Sequence, residues 1–173
     1  MRTTLAILLA AIGLTLPAAA AAKSFTAKAG GVTATLSYAN GPGIETTDER
    51  LEITAKGMPT YDEAVPAKGC FKVCSPIALQ PVQVVDLYGD GEEAVVLNLF
   101  SGGADCCGIE QVYVPSSAVG SWVLSWRNFG VDGAKVADEN GHEVFLSADN
   151  AFYCTFTFCY ASGLPLQVES YEH

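Results

Sequence analysis

The six cysteines are the residues whose chemistry the sequence defines most narrowly. An even number of cysteines is compatible with three disulfides, whereas a zinc site needs closely spaced thiolates and imidazoles. The chain contains no CxxC pair and only two histidines, His142 and His173. The pattern therefore favours disulfides over a metal centre. The cysteines are Cys70, Cys74, Cys106, Cys107, Cys154 and Cys159.

The spacing of the cysteines predicts only part of their pairing. Cys70 and Cys74 enclose three residues, so we expect a local bridge between them. A bridge between the adjacent Cys106 and Cys107 would close a very small ring, which disulfide geometry resists. We therefore expect these two cysteines to form separate bridges that leave one tight turn. Six cysteines allow fifteen connectivities, and the remaining pairs stay open.

Histidine is too scarce for the common hydrolytic sites. A serine or cysteine nucleophile needs a histidine base that a third group holds in place. His142 lies in a predicted turn without a neighbouring nucleophile, and His173 is the last residue. Carboxylates are abundant, but no pair stands out as the acid and base of a glycosidase. We therefore predict no catalytic residues and no enzymatic activity.

A short acidic pattern occurs twice in the second half of the chain. Residues 90–97 and 140–146 both begin with Asp or Asn, then Gly, any residue and Glu, and continue into an apolar strand. A spacing of fifty residues is typical of a blade-like or hairpin repeat. The pattern defines two repeat-like units, residues 82–115 and 132–168. Two such units cannot close a propeller.

The first acidic pattern resembles a calcium loop. Residues 85–93, VDLYGDGEE, resemble the Asp-x-Asp-x-Asp-Gly loop of FG-GAP/VCBS-type repeats. Residues 86–107 and 149–153 resemble small secreted bacterial proteins that carry such repeats and whose role is largely undefined. The resemblance implies a calcium site at Asp86 and Asp90, with Asp138 and Asn140 in the second copy.

Both loops depart from the family pattern at two positions. Calcium takes six to eight oxygen ligands. Tyr88 and Val136 occupy the third position of the first loop and the first position of the second, and Ala94 and Val144 occupy the ninth. The alternative to a metal site is a pair of solvated turns. The nearby glutamates that could replace the missing ligands are Glu92, Glu93, Glu139 and Glu143.

The segments that carry these residues are predicted to be strands. In some of them polar and apolar residues alternate, and others are short apolar runs between turn clusters. The predicted fold is all-β, with antiparallel strands in a single sandwich-like or propeller-blade-like domain stapled by disulfides. The predicted strands are residues 32–38, 50–54, 82–87, 94–100, 112–114, 121–126, 143–146, 151–158 and 166–168.

The aromatic residues are assigned to the core of this domain. Trp122 and Trp126 fall on one side of a predicted strand, and Phe152, Phe156 and Phe158 on one side of another. Large aromatic side chains are mostly buried, so we expect both sets to pack inside the sandwich, Cys154 reinforcing the second. The alternative is an exposed platform on which a carbohydrate stacks.

The N-terminus predicts export. Residues 1–22 combine Arg2, an apolar run of about a dozen residues and a series of alanines, which is the pattern of a signal peptide cleaved near Ala20 or Ala22. The apolar run is too short to span a bilayer. We therefore expect residues 23–173 to form one periplasmic or extracellular domain without a membrane span, with a soft seam near residues 75–81.

The charge distribution limits the partners. The net charge is −10, which excludes nucleic acid because phosphate binding needs a basic surface. Residues 73–173 contain thirteen acidic side chains and only two basic ones, Arg127 and Lys135. Such an excess favours a cationic partner or free exposure to solvent.

Two functions fit these features. The first is a secreted, non-enzymatic binding or structural module that engages a protein, glycan or cell-wall ligand through its loops. The second is an acidic inhibitor of a cationic hydrolase such as a lysozyme or a protease, because complementary charge accelerates encounter with a basic target. We favour the first, because no inhibitory loop is recognisable in the sequence.

Overall fold

The computed structural model describes residues 22–42, 45–71, 74–77, 79–102 and 107–171, which form twelve β-strands and two short 3-10 turns. Neighbouring strands pair antiparallel throughout these ranges, so the predicted all-β fold is confirmed. Within the same ranges the chain forms no helix with the length and hydrophobicity that a bilayer crossing needs. The predicted signal peptide lies outside the described residues, except for Ala22.

The strands form three sheets. The first sheet has the order β1 (Ala22–Ala29), β2 (Val32–Asn40), β3 (Thr46–Ala55), β4 (Tyr61–Ala64). The second has the order β5 (Ser75–Pro76), β7 (Ala94–Phe100), β8 (Gly108–Ser116), β9 (Ser121–Gly130), and β6 (Val82–Val85) also pairs with β7. The third has the order β10 (Ala134–Asp138), β11 (Glu143–Ala148), β12 (Leu166–Ser170). The 3-10 turns are Asn150–Phe152 and Cys159–Ala161.

The second sheet is the middle layer of the molecule. In β7, Val95, Leu97 and Leu99 pack with the first sheet, whereas Ala94 and Val96 pack with the third sheet on the opposite face. Successive side chains of a strand point to opposite faces, so both faces of β7 are covered. This explains why β7 is an unbroken apolar run apart from Asn98, rather than an alternating one.

The strands of the middle and third sheets end at the same two ends of the molecule, and these two ends carry different side chains. At one end, Phe100, Gly108 and Gly130 are aligned across β7, β8 and β9. We call this the disulfide end, because Cys107 precedes Gly108 and the segment between Cys154 and Cys159 leaves β11 there. At the other end, residues 86–93 connect β6 to β7 and residues 139–142 connect β10 to β11. We call this the acidic end.

The prediction of a strand over residues 151–158 is wrong. These residues form the first 3-10 turn and the irregular chain that follows it. The Cys154–Cys159 disulfide brings the two Cα atoms to 4.2 Å, whereas five residues of extended strand would span about 17 Å. The bridge therefore requires the chain to fold back on itself.

The disulfides are local. The expected Cys70–Cys74 bridge is confirmed, and Cys154 pairs with Cys159. Cys107 is also disulfide-bonded, and Cys106 lies outside the described residues. Because the other four cysteines pair with one another, none of them is available to Cys107. Among the described residues, the two separate bridges expected for Cys106 and Cys107 are therefore not found.

The two tryptophans share one face of β9, as predicted, but differ in burial. Trp122 is buried against the first sheet, whereas Trp126 is 46% exposed. Trp126 lies over Gly69 beside Ile109, so the irregular chain before β5 covers it instead of a strand. The other predicted aromatic set, Phe152, Phe156 and Phe158, is exposed, and its assignment to the core is wrong.

The middle sheet lies against the chain just before β10 at Gly108. A Cβ atom on Gly108 would overlap with the Cα atom of Gly133, just before β10. We expect Gly108→Ala to lower the free energy of unfolding by about 1–3 kcal/mol, because the backbone must shift to admit the methyl group. Gly163→Ala is the matched control, since a Cβ there meets nothing. Equal urea midpoints for the two variants would contradict this close contact.

Candidate functional site

Asp86 organises the first acidic turn. Its carboxylate accepts hydrogen bonds from the backbone N–H groups of Gly91 at 2.8 Å and Asp90 at 3.2 Å. These bonds, the one from Gly91 foremost, lower the pKa of Asp86 below its usual range. Asp90 in turn accepts a bond from the N–H of Glu92 at 2.9 Å. The two residues predicted as calcium ligands therefore lie in one turn, where both carboxylates bind backbone donors.

The second acidic turn lies beside the first. Asp138 accepts a hydrogen bond from the N–H of Gly141 at 3.2 Å, and Asn140 has a positive φ of 59° that forms the tight turn. Burial raises the pKa of Glu143, and the carboxylates of Asp138 and Asp86 raise it further. The structure thus brings the two copies of the acidic pattern to the same end of the molecule.

Like charges are crowded between the two turns. Partial burial raises the pKa of Glu93, and the neighbouring carboxylates of Asp86 and Glu143 add to the effect. Nevertheless, no three Asp, Glu, His or Cys side chains in the described part of the chain converge as they would around a metal ion. The acidic end is a surface of mutually repelling carboxylates.

Calcium binding by Asp86, Asp90, Asp138 and Asn140 stays a prediction. A ligand that binds only the folded state stabilises it, by about 2.7 kcal/mol at a hundredfold excess over its Kd. Thermal unfolding with millimolar calcium, and again after chelation, tests this. A site predicts a higher midpoint that the chelator reverses. An unchanged midpoint contradicts the site and leaves the four residues as components of turns.

The disulfide end carries an exposed aromatic segment, which we call the aromatic loop, residues 150–165 between β11 and β12. Phe156 is 80% exposed, Phe158 72% and Tyr160 89%. Phe152 is partly exposed at 38%. Residues 150–168 contain no charged side chain, although the whole chain carries a net charge of −10. An apolar patch of this kind, rimmed by polar residues, commonly marks an interaction site.

The aromatic loop has its own internal bonding. The Cys154–Cys159 disulfide closes it, and the N–H of Cys154 donates to the hydroxyl of Ser162 at 3.0 Å. The rings of Phe158 and Tyr160 stack with centroids 5.9 Å apart. The loop therefore presents its rings in a defined arrangement, although they are not buried.

Asn150 attaches the aromatic loop to the middle sheet. Its amide nitrogen donates to the carbonyls of Phe129 at 2.8 Å and Ala148 at 2.9 Å, and its oxygen accepts from the N–H of Val131 at 3.0 Å. These three bonds connect the end of β11 with the end of β9. The base of the loop is therefore fixed to the disulfide end.

Two buried polar residues in β8 were not identified from the sequence. Glu110 and Gln111 are fully buried, one on each face of the middle sheet. Burial raises the pKa of Glu110 to about 8, although the N–H of Ala134 donates to it at 2.9 Å. Gln111 donates to the carbonyls of Pro66 and Lys68. The apolar residues on either side of this pair are the only sequence signal of its burial.

Comparison with known proteins identifies a relative over part of this chain. No protein family matches it, and no solved structure gives a significant match. A protein of Synechocystis sp. named "Probable thylakoid lumen protein" is 26% identical over 98 residues. The match covers 54% of this chain but only 29% of that protein, so the chain spans under a third of its relative. The resemblance to FG-GAP/VCBS repeats has no support from the family comparison.

Proposed function

We propose that the protein is an exported, non-enzymatic binding module that docks its aromatic loop into an apolar groove on a protein partner. The observation that carries this proposal is the exposure of Phe156, Phe158 and Tyr160 in a segment without charge. Full burial of one such ring contributes about 1.5–3 kcal/mol. Three rings that leave water together would supply much of the binding energy of an interface.

The net charge of the chain favours a different protein as the docking partner, rather than a second copy of this chain. Two copies would each carry a net charge of −10, and like charges repel as the molecules approach. A groove with a basic rim would instead attract the acidic chain and leave the uncharged loop to fill the apolar floor. This combination of features matches the usual anatomy of interfaces, in which charge is depleted at the centre and polar residues form the rim.

The local bonding of the loop also supports docking. Association is weakened when flexible side chains and loops must be ordered on binding. The Cys154–Cys159 bridge, the Asn150 hydrogen bonds and the stacked rings of Phe158 and Tyr160 order much of this loop in advance. A smaller ordering cost leaves more of the burial energy for affinity.

The relative in Synechocystis supports the exported location. That protein is named for the thylakoid lumen, a compartment on the far side of a membrane. Together with the signal-peptide pattern of residues 1–22, the name favours export of this chain, and disulfides are typical of an oxidising compartment.

Photo-cross-linking tests the proposed docking. A photoreactive phenylalanine at position 158 should form one dominant protein adduct in the cells that make the protein. In that background, Phe156→Ser should reduce the adduct about tenfold, as expected for an aromatic anchor of an interface. The control places the same group at Val119, which is 67% exposed in the turn between β8 and β9 at the acidic end. No adduct at 158, or the same adducts at both positions, would contradict the proposal.

The crowded carboxylates favour a second candidate, an inhibitor of a cationic hydrolase. The raised pKa values of Glu93 and Glu143 reflect, after burial, repulsion that a basic partner would relieve. Lysozyme is a suitable basic probe. This candidate predicts loss of lysozyme activity that high salt reverses and that Glu93→Gln weakens. Full lysozyme activity at low salt in the presence of the protein would contradict inhibition of this enzyme.

A further inference from the structure

Two buried polar side chains of the middle sheet lie side by side, and each has one oxygen without a partner. Asn98 of β7 is opposite Glu110 of β8, and side chains at such positions are about 5 Å apart at Cβ. Asn98 is 6% exposed and Glu110 is fully buried. Oδ1 of Asn98 and Oε2 of Glu110 have no hydrogen-bond partner among the described residues. We call these two residues the Asn98–Glu110 pair.

The other polar atoms of the pair bind two different segments. The amide nitrogen Nδ2 of Asn98 donates to the carbonyl of Gln80, in the chain between β5 and β6. The oxygen Oε1 of Glu110 accepts from the N–H of Ala134, the first residue of β10, at 2.9 Å. These two bonds orient both side chains, so the atoms left between them are two oxygens.

Two neighbouring acceptors need a donor between them. A buried polar atom without a partner is costly. An ionised carboxylate can only accept hydrogen bonds, whereas a protonated carboxyl has one O–H donor. With a proton on Oε2, Glu110 donates to Oδ1 of Asn98, and both oxygens gain a partner at once. A single proton therefore completes the hydrogen bonding of the pair.

The surroundings of Glu110 favour this proton. Burial raises the pKa of Glu110 from 4.5 to about 8, against the opposing effect of the Ala134 N–H. Arg127 of β9 is opposite Glu110, but its guanidinium binds Glu169 of β12 at 2.9 Å. Neither of these charges is among the causes of the raised pKa. The other titratable side chains on the surrounding elements are Asp132 before β10, Lys135 and Asp138 of β10, Glu143 of β11 and Tyr171 after β12.

We propose that the proton on Glu110 sets the direction of the Asn98 amide and thereby fixes the chain between β5 and β6 to the middle sheet. With the proton present, Oδ1 of Asn98 faces Glu110 and Nδ2 is left for the carbonyl of Gln80. When the proton leaves to solvent, the carboxylate can only accept, so the amide turns over and donates to Glu110. The carbonyl of Gln80 then faces Oδ1 and loses its donor.

The proposed switch acts on one exposed edge of the middle sheet. Leu79, next to Gln80, is 93% exposed. The backbone of Asn98 still accepts from the N–H of Ile77 at 2.9 Å and donates to the carbonyl of Pro81 at 3.1 Å. The chain therefore stays attached on both sides and loosens at residues 79 and 80. This switch does not depend on the docking of the aromatic loop.

NMR titration of the folded, oxidised protein between pH 6 and pH 9 tests the switch. The probes are the carboxyl carbon of Glu110, the side-chain amide of Asn98 and the carbonyl carbon of Gln80. We expect all three signals to change with one shared midpoint near pH 8. The wild-type protein is sufficient for this measurement, so the test does not rely on a variant that folds.

Glu110→Gln provides the matched variant. Its amide donates to Oδ1 of Asn98 as the protonated carboxyl does, and it cannot ionise, so the changes at Asn98 and Gln80 should be lost. Glu139→Gln is the exposed control and should leave the shared midpoint unchanged.

Three outcomes would overturn the switch. The first is a Glu110 carboxyl that is already ionised at pH 6. The second is a titration of Glu110 that leaves the Gln80 carbonyl signal unchanged, and the third is a change at Gln80 that persists in Glu110→Gln. Phe156→Ser should leave the titration unchanged, so failure of the docking proposal and failure of the switch are distinguishable.

Discussion

Replacing Phe145 with Ala should lower the free energy of unfolding by about 3–5 kcal/mol. Phe145 is fully buried between the middle and third sheets. The centroid of its ring lies 5.2 Å from that of Phe129 and 6.2 Å from that of Tyr171. Truncation would leave a cavity that the rigid strands on either side cannot close. Urea unfolding of the oxidised protein measures the effect.

Phe156→Ala is the matched control for this prediction. The substitution is the same, but Phe156 is 80% exposed, so we expect a change within about 0.5 kcal/mol. The pair of variants compares a core ring with a ring of the aromatic loop. Similar losses at both positions would contradict the placement of residues 151–158 outside the core.

The stability of the protein should fall with rising pH because of Glu110. Burial raises its pKa from 4.5 to about 8, so the folded state holds a proton that the unfolded state releases. The contribution is fully present below pH 4.5 and is lost as the pH rises through about 8. Between these limits the slope attributable to this group approaches about 1.4 kcal/mol per pH unit.

Glu110→Gln isolates this effect. The amide keeps the shape of the side chain and cannot ionise, so the variant should gain stability relative to the wild type as the pH rises from 5 to 8. The exposed Glu139→Gln is the control, and its difference from the wild type should not follow that trend. A difference between wild type and Glu110→Gln that stays constant with pH would contradict a buried, protonated carboxyl.

The sequence predicts the strands best where one chemical pattern dominates. The sequence predicts the apolar run of β7 with its observed bounds, Ala94–Phe100, because a strand covered on both faces is apolar at nearly every position, Asn98 being the exception. By contrast, β1 and β10 were missed. β1 has no fully buried position and β10 is only five residues long, and their partners, β2 and β11, supply the pairing that local sequence does not encode.

The aromatic residues show why the site was harder to predict. Apolar residues alternate with Tyr or Thr over residues 152–158, which is also the pattern of a half-buried strand. The Cys154–Cys159 bridge folds this segment back on itself, so that the three rings lie outside the core. The bridge could not be predicted, because six cysteines can pair in fifteen ways.

Carboxylates are concentrated at the acidic end of the molecule, and exposed aromatic rings are concentrated at the disulfide end. The acidic end brings Asp86, Glu93 and Glu143 within electrostatic reach of one another. The disulfide end carries the aromatic loop, which has no charge. In the proposed docking, long-range attraction and short-range contact would therefore be carried by different surfaces.

Solvent accessibility of the aromatic rings tests the central claim most directly. A soluble paramagnetic agent attenuates the NMR signals of protons that it can approach. In the isolated oxidised protein, the ring signals of Phe156, Phe158 and Tyr160 should be strongly attenuated, while those of Phe145 should be protected. Equal protection of the loop rings and Phe145 would mean that the loop is part of the core, and the proposed docking surface would not exist.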